Sequence, residues 1–156
     1  MKTKNKEQFR TIDDILAFAI KKEEEAASAY GDMLKAAGTP GLKKLLKELY
    51  DEEGNHKRLL EKAAHSGIEV LESMSVEDLK ITDYLIARPP HPDMSFQELL
   101  ILAAKKEGKA AALYGDLARR AASSEHRKLF DHLMQQEKSH KLRLESEYER
   151  HVLGED

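Results

Sequence analysis

The chain has 156 residues, with 40% hydrophobic and 35% charged side chains and a formal net charge of −3. A length of about 150 residues is typical of one domain with its own core, and so small a net charge argues against a nucleic-acid partner. Cysteine is absent, which excludes disulfides, zinc–thiolate sites and iron–sulfur clusters on these residues. No apolar run is long enough to span a membrane and no signal peptide is recognisable, so we expect a cytoplasmic protein with no membrane partner.

Two long helical patterns occupy the first part of the chain. The first begins with Thr11 and Asp14 at the spacing of a capping box, and it ends before a glycine. Thr39 and Pro40 are typical of the N-cap and first position of the second helix. The short turn between the two helices predicts an antiparallel hairpin over residues 11–66.

A longer connection, residues 67–94, separates this hairpin from the next. Its segment SVEDLKITDYLIA predicts a short helix, and the following RPPHPD cannot be helical because of its prolines. A third helix begins at Ser95, which has capping-box spacing to Glu98, and a fourth helix follows. These patterns predict a second hairpin over residues 95–153 and a crossover between the two.

The two hairpins repeat each other. With an offset of 84 residues, 11–37 and 95–121 are identical at 11 of 27 positions. The most similar stretches are AIKKEEEAASAYGD and AAKKEGKAAALYGD. Two antiparallel helical hairpins joined by one long crossover form the ferritin-like arrangement. We therefore predict an all-α, ferritin-like four-helix bundle in a single domain that covers residues 1–156.

Each helix has an apolar seam that polar residues interrupt near its middle. The first and third seams are each interrupted by one glutamate, and the second and fourth by a glutamate and a histidine three residues apart. The interrupting residues are Glu23, Glu53, His56, Glu107, Glu137 and His140. Residues three apart share one helix face, and the same offset relates the two halves. All six side chains are therefore predicted at one level of the bundle.

Four buried carboxylates at one level would repel one another, because a buried charge is usually paired, protonated or bound to metal. Two divalent cations would neutralise them, with the histidines as neutral ligands. The competing interpretation places these residues on solvated faces of a chain rich in lysine and glutamate. Tyr30 and Tyr114, which the offset also relates, are either ordinary core aromatics or hydrogen-bond donors to the metal-binding carboxylates.

This pattern resembles that of the ferritin-like di-iron carboxylate proteins, and most closely the rubrerythrin family, over residues 11–150. The resemblance implies two iron ions per chain, with manganese or zinc as alternatives. It implies that Glu53 and Glu137 bridge the metals and that one histidine binds each metal. Glu23 and Glu107 are then the terminal ligands. Such a symmetric ligand set predicts two nearly equivalent metals.

The resemblance also implies a non-haem di-iron oxidoreductase that acts on peroxide or dioxygen in oxidative-stress defence. It would be a homodimer that uses an external electron donor such as a rubredoxin-type protein, since this chain has no cysteine for a rubredoxin module. Ala110 stands where peroxidase-type rubrerythrins carry a further carboxylate, which departs from their pattern. Two alternatives remain open: a ferritin-like ferroxidase that handles iron, and a non-catalytic metal-binding bundle.

Overall fold

The computed structural model describes residues 11–71, 84 and 93–152. Within these ranges the chain forms four helices. They are α1 (Ile12–Ala36), α2 (Pro40–Ser66), α3 (Phe96–Arg120) and α4 (Ser124–Val152). This confirms the predicted all-α four-helix bundle. The short helix predicted in the crossover lies outside the described residues, apart from Tyr84. Of the helices in the described ranges, none is both long enough and apolar enough to cross a membrane.

Capping boxes begin α1 and α3, as the sequence predicts. The Thr11 side chain accepts a hydrogen bond from the backbone of Asp14, whose carboxylate accepts one from the backbone of Thr11. Ser95 and Glu98 make the same pair of contacts. Both boxes satisfy backbone N–H groups that have no partner inside the first helical turn.

Both ends of α2 also follow from local sequence. Thr39 caps its first turn through Leu42, and Pro40 occupies the first helical position, where its missing N–H costs nothing. The helix ends at Gly67, whose φ of 86° lies in the left-handed region that favours glycine.

Backbone contacts after α2 define the topology of the bundle. Leu71 donates to the carbonyl of Arg120 at 2.8 Å, and Ala122 donates to the carbonyl of Glu69 at 2.9 Å. α2 therefore ends beside the turn between α3 and α4, so α2 and α3 run parallel. The end of α2 and the start of α3 therefore lie at opposite ends of the bundle, roughly 40 Å apart for helices of this length. This separation is what the predicted crossover requires.

A polar layer divides the core into two apolar clusters. The first cluster includes Leu16, Leu60 and Phe130, and the second includes Leu46 and Leu144. All five side chains are at most 1% exposed. Burial of these apolar surfaces on both sides supplies the free energy that holds the polar layer in place.

Candidate metal centre

The six residues predicted to share one level of the bundle meet at its centre. Each lies on the buried seam of its own helix and is at most 2% exposed. They form two overlapping groups, and within each group the candidate ligand atoms lie within 4.8 Å of one another. The groups are Glu23, Glu53, His56 and Glu137, and Glu53, Glu107, Glu137 and His140. Glu53 and Glu137 belong to both, which is the arrangement expected of bridging ligands.

The Nδ1 atoms of the two histidines face this centre. Nδ1 of His56 lies 3.0 Å from Glu23, 3.1 Å from Glu53 and 2.9 Å from Glu137. Nδ1 of His140 lies 3.2–3.4 Å from the three carboxylates of the second group. The two rings are nearly parallel, with an angle of 13° between their planes and 5.6 Å between their centroids. Each imidazole nitrogen therefore converges with three carboxylates on one position.

Apart from their close contacts with one another, the inward-facing atoms have no hydrogen-bond partner among the described residues. They are Nδ1 of His56 and His140, both oxygens of Glu53, and one oxygen each of Glu23, Glu107 and Glu137. A buried polar atom left without a partner costs about 1–3 kcal/mol. Cations at the two convergence points would accept lone pairs from all of these atoms. The donor set of carboxylate oxygen and imidazole nitrogen fits iron, manganese and zinc.

Crowding perturbs the acidity of these groups. Burial, followed by the charge of Glu53, raises the pKa of Glu23 to about 8. Burial also raises the pKa of Glu107 and of Glu137, and neighbouring carboxylates add to the effect. Burial alone would raise the pKa of Glu53, but close contacts with the two histidines outweigh it and lower that pKa. Burial would lower the pKa of His140, whereas its carboxylate neighbours raise it to about 12.

We expect metal binding at this centre to release protons. Glu23, with a pKa of about 8, keeps its proton near neutral pH, and a carboxylate has to lose its proton before it binds a cation. The apparent affinity for ferrous iron should rise with pH through the neutral range, by about tenfold per pH unit for each proton released, and His140, whose pKa is about 12, releases a further proton. Calorimetry in buffers of different ionisation enthalpy counts these protons. Binding without any proton release would contradict the protonation described above.

Buried tyrosines support the carboxylates. The Tyr30 hydroxyl donates to Oε1 of Glu107 at 2.6 Å, across the bundle. Tyr114 is the equivalent residue of the second hairpin and is 1% exposed. Burial and then the charge of Glu23 raise the pKa of Tyr114 well above its ordinary value. Tyr30 is therefore more than an apolar core residue, since its hydroxyl orients a carboxylate of the centre.

The outer nitrogens of the two histidines have different partners. Nε2 of His56 lies 3.0 Å from Oε1 of Gln136, and Nε2 of His140 lies 3.2 Å from Oε1 of Glu52. When Nδ1 binds a metal, Nε2 carries the ring hydrogen and donates it in both contacts. The sequence analysis missed Glu52 and Gln136. The sequence feature that could have identified them is their position directly before Glu53 and Glu137, which the offset of 84 residues relates.

A cavity of about 780 Å³ between α1 and α3 leads to the centre. Its walls include Glu23 and Glu107 at the inner end and Lys106 further out. Ala26 and Ala110 also line it, and their small side chains leave room between the two helices. Such a cavity admits molecules of the size of water, dioxygen or hydrogen peroxide.

The family model described as Rubrerythrin matches residues 14–148 of the chain. The matched range includes all six residues of the centre and both buried tyrosines. No curated protein and no solved structure matches the sequence with significance.

Proposed function

The chain belongs to the rubrerythrin family, and on that premise we propose that its six central residues hold two iron ions, with manganese and zinc as the alternatives. The observation that carries this proposal is the convergence of two four-residue groups on two buried positions. Glu53 and Glu137 would bridge the metals because both belong to both groups. Glu23 and Glu107 would each bind one metal.

We further propose that the protein is an oxidoreductase that reduces peroxide or dioxygen in oxidative-stress defence. When bound, two iron ions supply the two electrons that reduction of an O–O bond requires. The chain's own residues hold the centre in position: Tyr30 orients Glu107, and the contacts of both Nε2 atoms fix the imidazole rings. Electrons would come from an external donor such as a rubredoxin-type protein. We also propose that the protein is cytoplasmic and forms a homodimer.

A second candidate function is the oxidation and release of iron, as in a ferroxidase. It is favoured by Ala110, which lines the cavity beside the centre at the position where peroxidase-type rubrerythrins carry a further carboxylate. A methyl group there cannot bind an ion, so the proposed centre would hold its metals with four carboxylates and two histidines. A third candidate, a non-catalytic bundle, would bind metal without turnover.

Rapid mixing of the anaerobic ferrous-loaded protein with hydrogen peroxide or with dioxygen distinguishes these candidates. We expect peroxide to oxidise the iron at about one molecule per two iron ions, with the iron retained on the protein after gel filtration. Retention would support the oxidoreductase. Rapid oxidation by dioxygen, followed by loss of ferric iron, would favour the ferroxidase. Loaded iron that reacts with neither oxidant would overturn both.

A further inference from the structure

The immediate surroundings of the metal centre follow the internal repeat, but the next layer of contacts does not. Positions 52 and 136 are equivalent by the offset of 84 residues. Glu52 places a carboxylate oxygen against Nε2 of His140, whereas Gln136 places an amide oxygen against Nε2 of His56. One histidine therefore donates to an acidic side chain and the other to a neutral one.

The two halves also differ in the residues that contact Glu52 and Gln136 in turn. Arg143 contacts its second oxygen, Oε2, at 3.5 Å and also pairs with Glu48. The equivalents of Glu48 and Arg143 in the other half are a histidine and a leucine, at positions 132 and 59. A chain of charged groups between α2 and α4 thus supports His140. The corresponding contact of His56 ends at the amide of Gln136.

We propose that Glu52 and Gln136 make the two metal ions inequivalent, with Glu52 acting as a positioning residue for His140. This inference rests on the metal centre proposed above. A hydrogen bond from imidazole to a carboxylate is stronger than one to an amide, and it increases the basicity of the nitrogen that binds the metal. Nδ1 of His140 is then a stronger ligand than Nδ1 of His56.

The ion bound by His140 and Glu107 therefore binds more tightly and is more easily oxidised than the ion bound by His56 and Glu23. This replaces the expectation of two nearly equivalent metals, which considered only the six ligands. The difference is set by side chains that touch no metal themselves.

Mössbauer spectroscopy of protein loaded anaerobically with ferrous iron tests the proposal. We expect two distinct iron signals of equal area for the unchanged chain. Glu52→Gln places an amide against both histidines, and Gln136→Glu places a carboxylate against both. Each single variant should bring the two signals together. The double variant, which exchanges the two side chains, should separate them again because it only reverses the asymmetry.

Competition with a chelator measures the difference between the two iron sites as a difference in binding affinity. Glu52→Gln should weaken the tighter of the two ferrous binding steps by about tenfold, the low end of the loss seen when a histidine ligand loses its outer partner. Glu61→Gln is the matched control, since Glu61 is an exposed glutamate of the same helix and contacts neither Arg143 nor the histidines among the described contacts. It should leave both the Mössbauer signals and the affinity unchanged.

The outcomes separate this inference from the proposed function. If Glu52→Gln and Gln136→Glu both bind two iron ions and keep the original separation of signals, the inference is wrong while the metal centre stands. If the unchanged chain binds no iron, the proposed function and the inference fail together. Gln136→Glu leaves the Glu52–Arg143 contact intact, so it tests the proposal even if Glu52→Gln folds poorly.

Discussion

Replacing Glu53 and Glu137 together by alanine will reduce the metal content from about two ions per chain to none, because bridging carboxylates are shared ligands of both ions. Both residues belong to both four-residue groups of the centre, so each proposed ion would lose two of its four protein ligands. Elemental analysis measures this directly, both on protein from iron-supplemented cells and after anaerobic reconstitution with ferrous iron.

The matched control is Glu61→Ala together with Glu125→Ala. It makes the same change in charge on the same two helices, but at exposed positions. This control should keep its metal. If the Glu53→Ala/Glu137→Ala variant also kept two ions while remaining folded, the metal would have to bind elsewhere. An unchanged chain that bound no metal at all would mean that the buried glutamates have another role.

Removing the metal will lower the midpoint of thermal unfolding by about 10 °C. A ligand held at a concentration a thousandfold above its dissociation constant stabilises a protein by about 4 kcal/mol, and in a chain of this size each kcal/mol is about 2–4 °C. Calorimetry with and without a chelator measures the shift. Equal midpoints for metal-loaded and metal-free protein would contradict this prediction.

The decrease in the unfolding midpoint on metal removal should become larger as the pH rises. Glu23 has a pKa of 4.5 when unfolded and about 8 in the metal-free fold. A raised pKa stabilises the fold fully below the unfolded value, and this contribution is lost as the pH rises through the folded value. The metal-free protein should therefore become less stable between about pH 4.5 and pH 8, while the metal-bound form keeps its carboxylates neutralised.

A paired substitution isolates the cause of this instability. Glu23→Gln with Glu107→Gln replaces two crowded carboxyl groups by neutral amides but leaves Tyr30 an oxygen to donate to. The metal-free variant should unfold at a higher temperature than the metal-free original chain near pH 8, even though it binds metal poorly. Such opposite effects on stability and on metal binding are expected of carboxylates that are buried for function.

The helices and the centre follow largely from sequence because both depend on local spacing. Capping residues such as Thr11 and Ser95 act within one helical turn. The seam alternates steps of three and four residues, which places Glu53 and His56 on one face whatever the rest of the chain does. The repeat then relates each half of the centre to the other.

Contacts between helices are harder to predict from sequence than the helices themselves. Glu52 lies on the same helix as His56, yet it reaches His140 on α4. Which side chain contacts the Nε2 atom of a histidine depends on the rotation and separation of two packed helices. Helical periodicity does not specify either quantity. For the same reason, the expectation of equivalent metals treated the halves of the centre as alike and did not consider their outer partners.

The repeat also bears on how such a centre changes over evolutionary time. A hairpin that paired with an identical copy of itself would have one codon for both outer positions, so any mutation there would act on both metals at once. A hairpin that is present twice in one chain has its own codon for each outer position. Positions 52 and 136 carry glutamate and glutamine in this chain, so one chain can give its two proposed metal sites different outer partners.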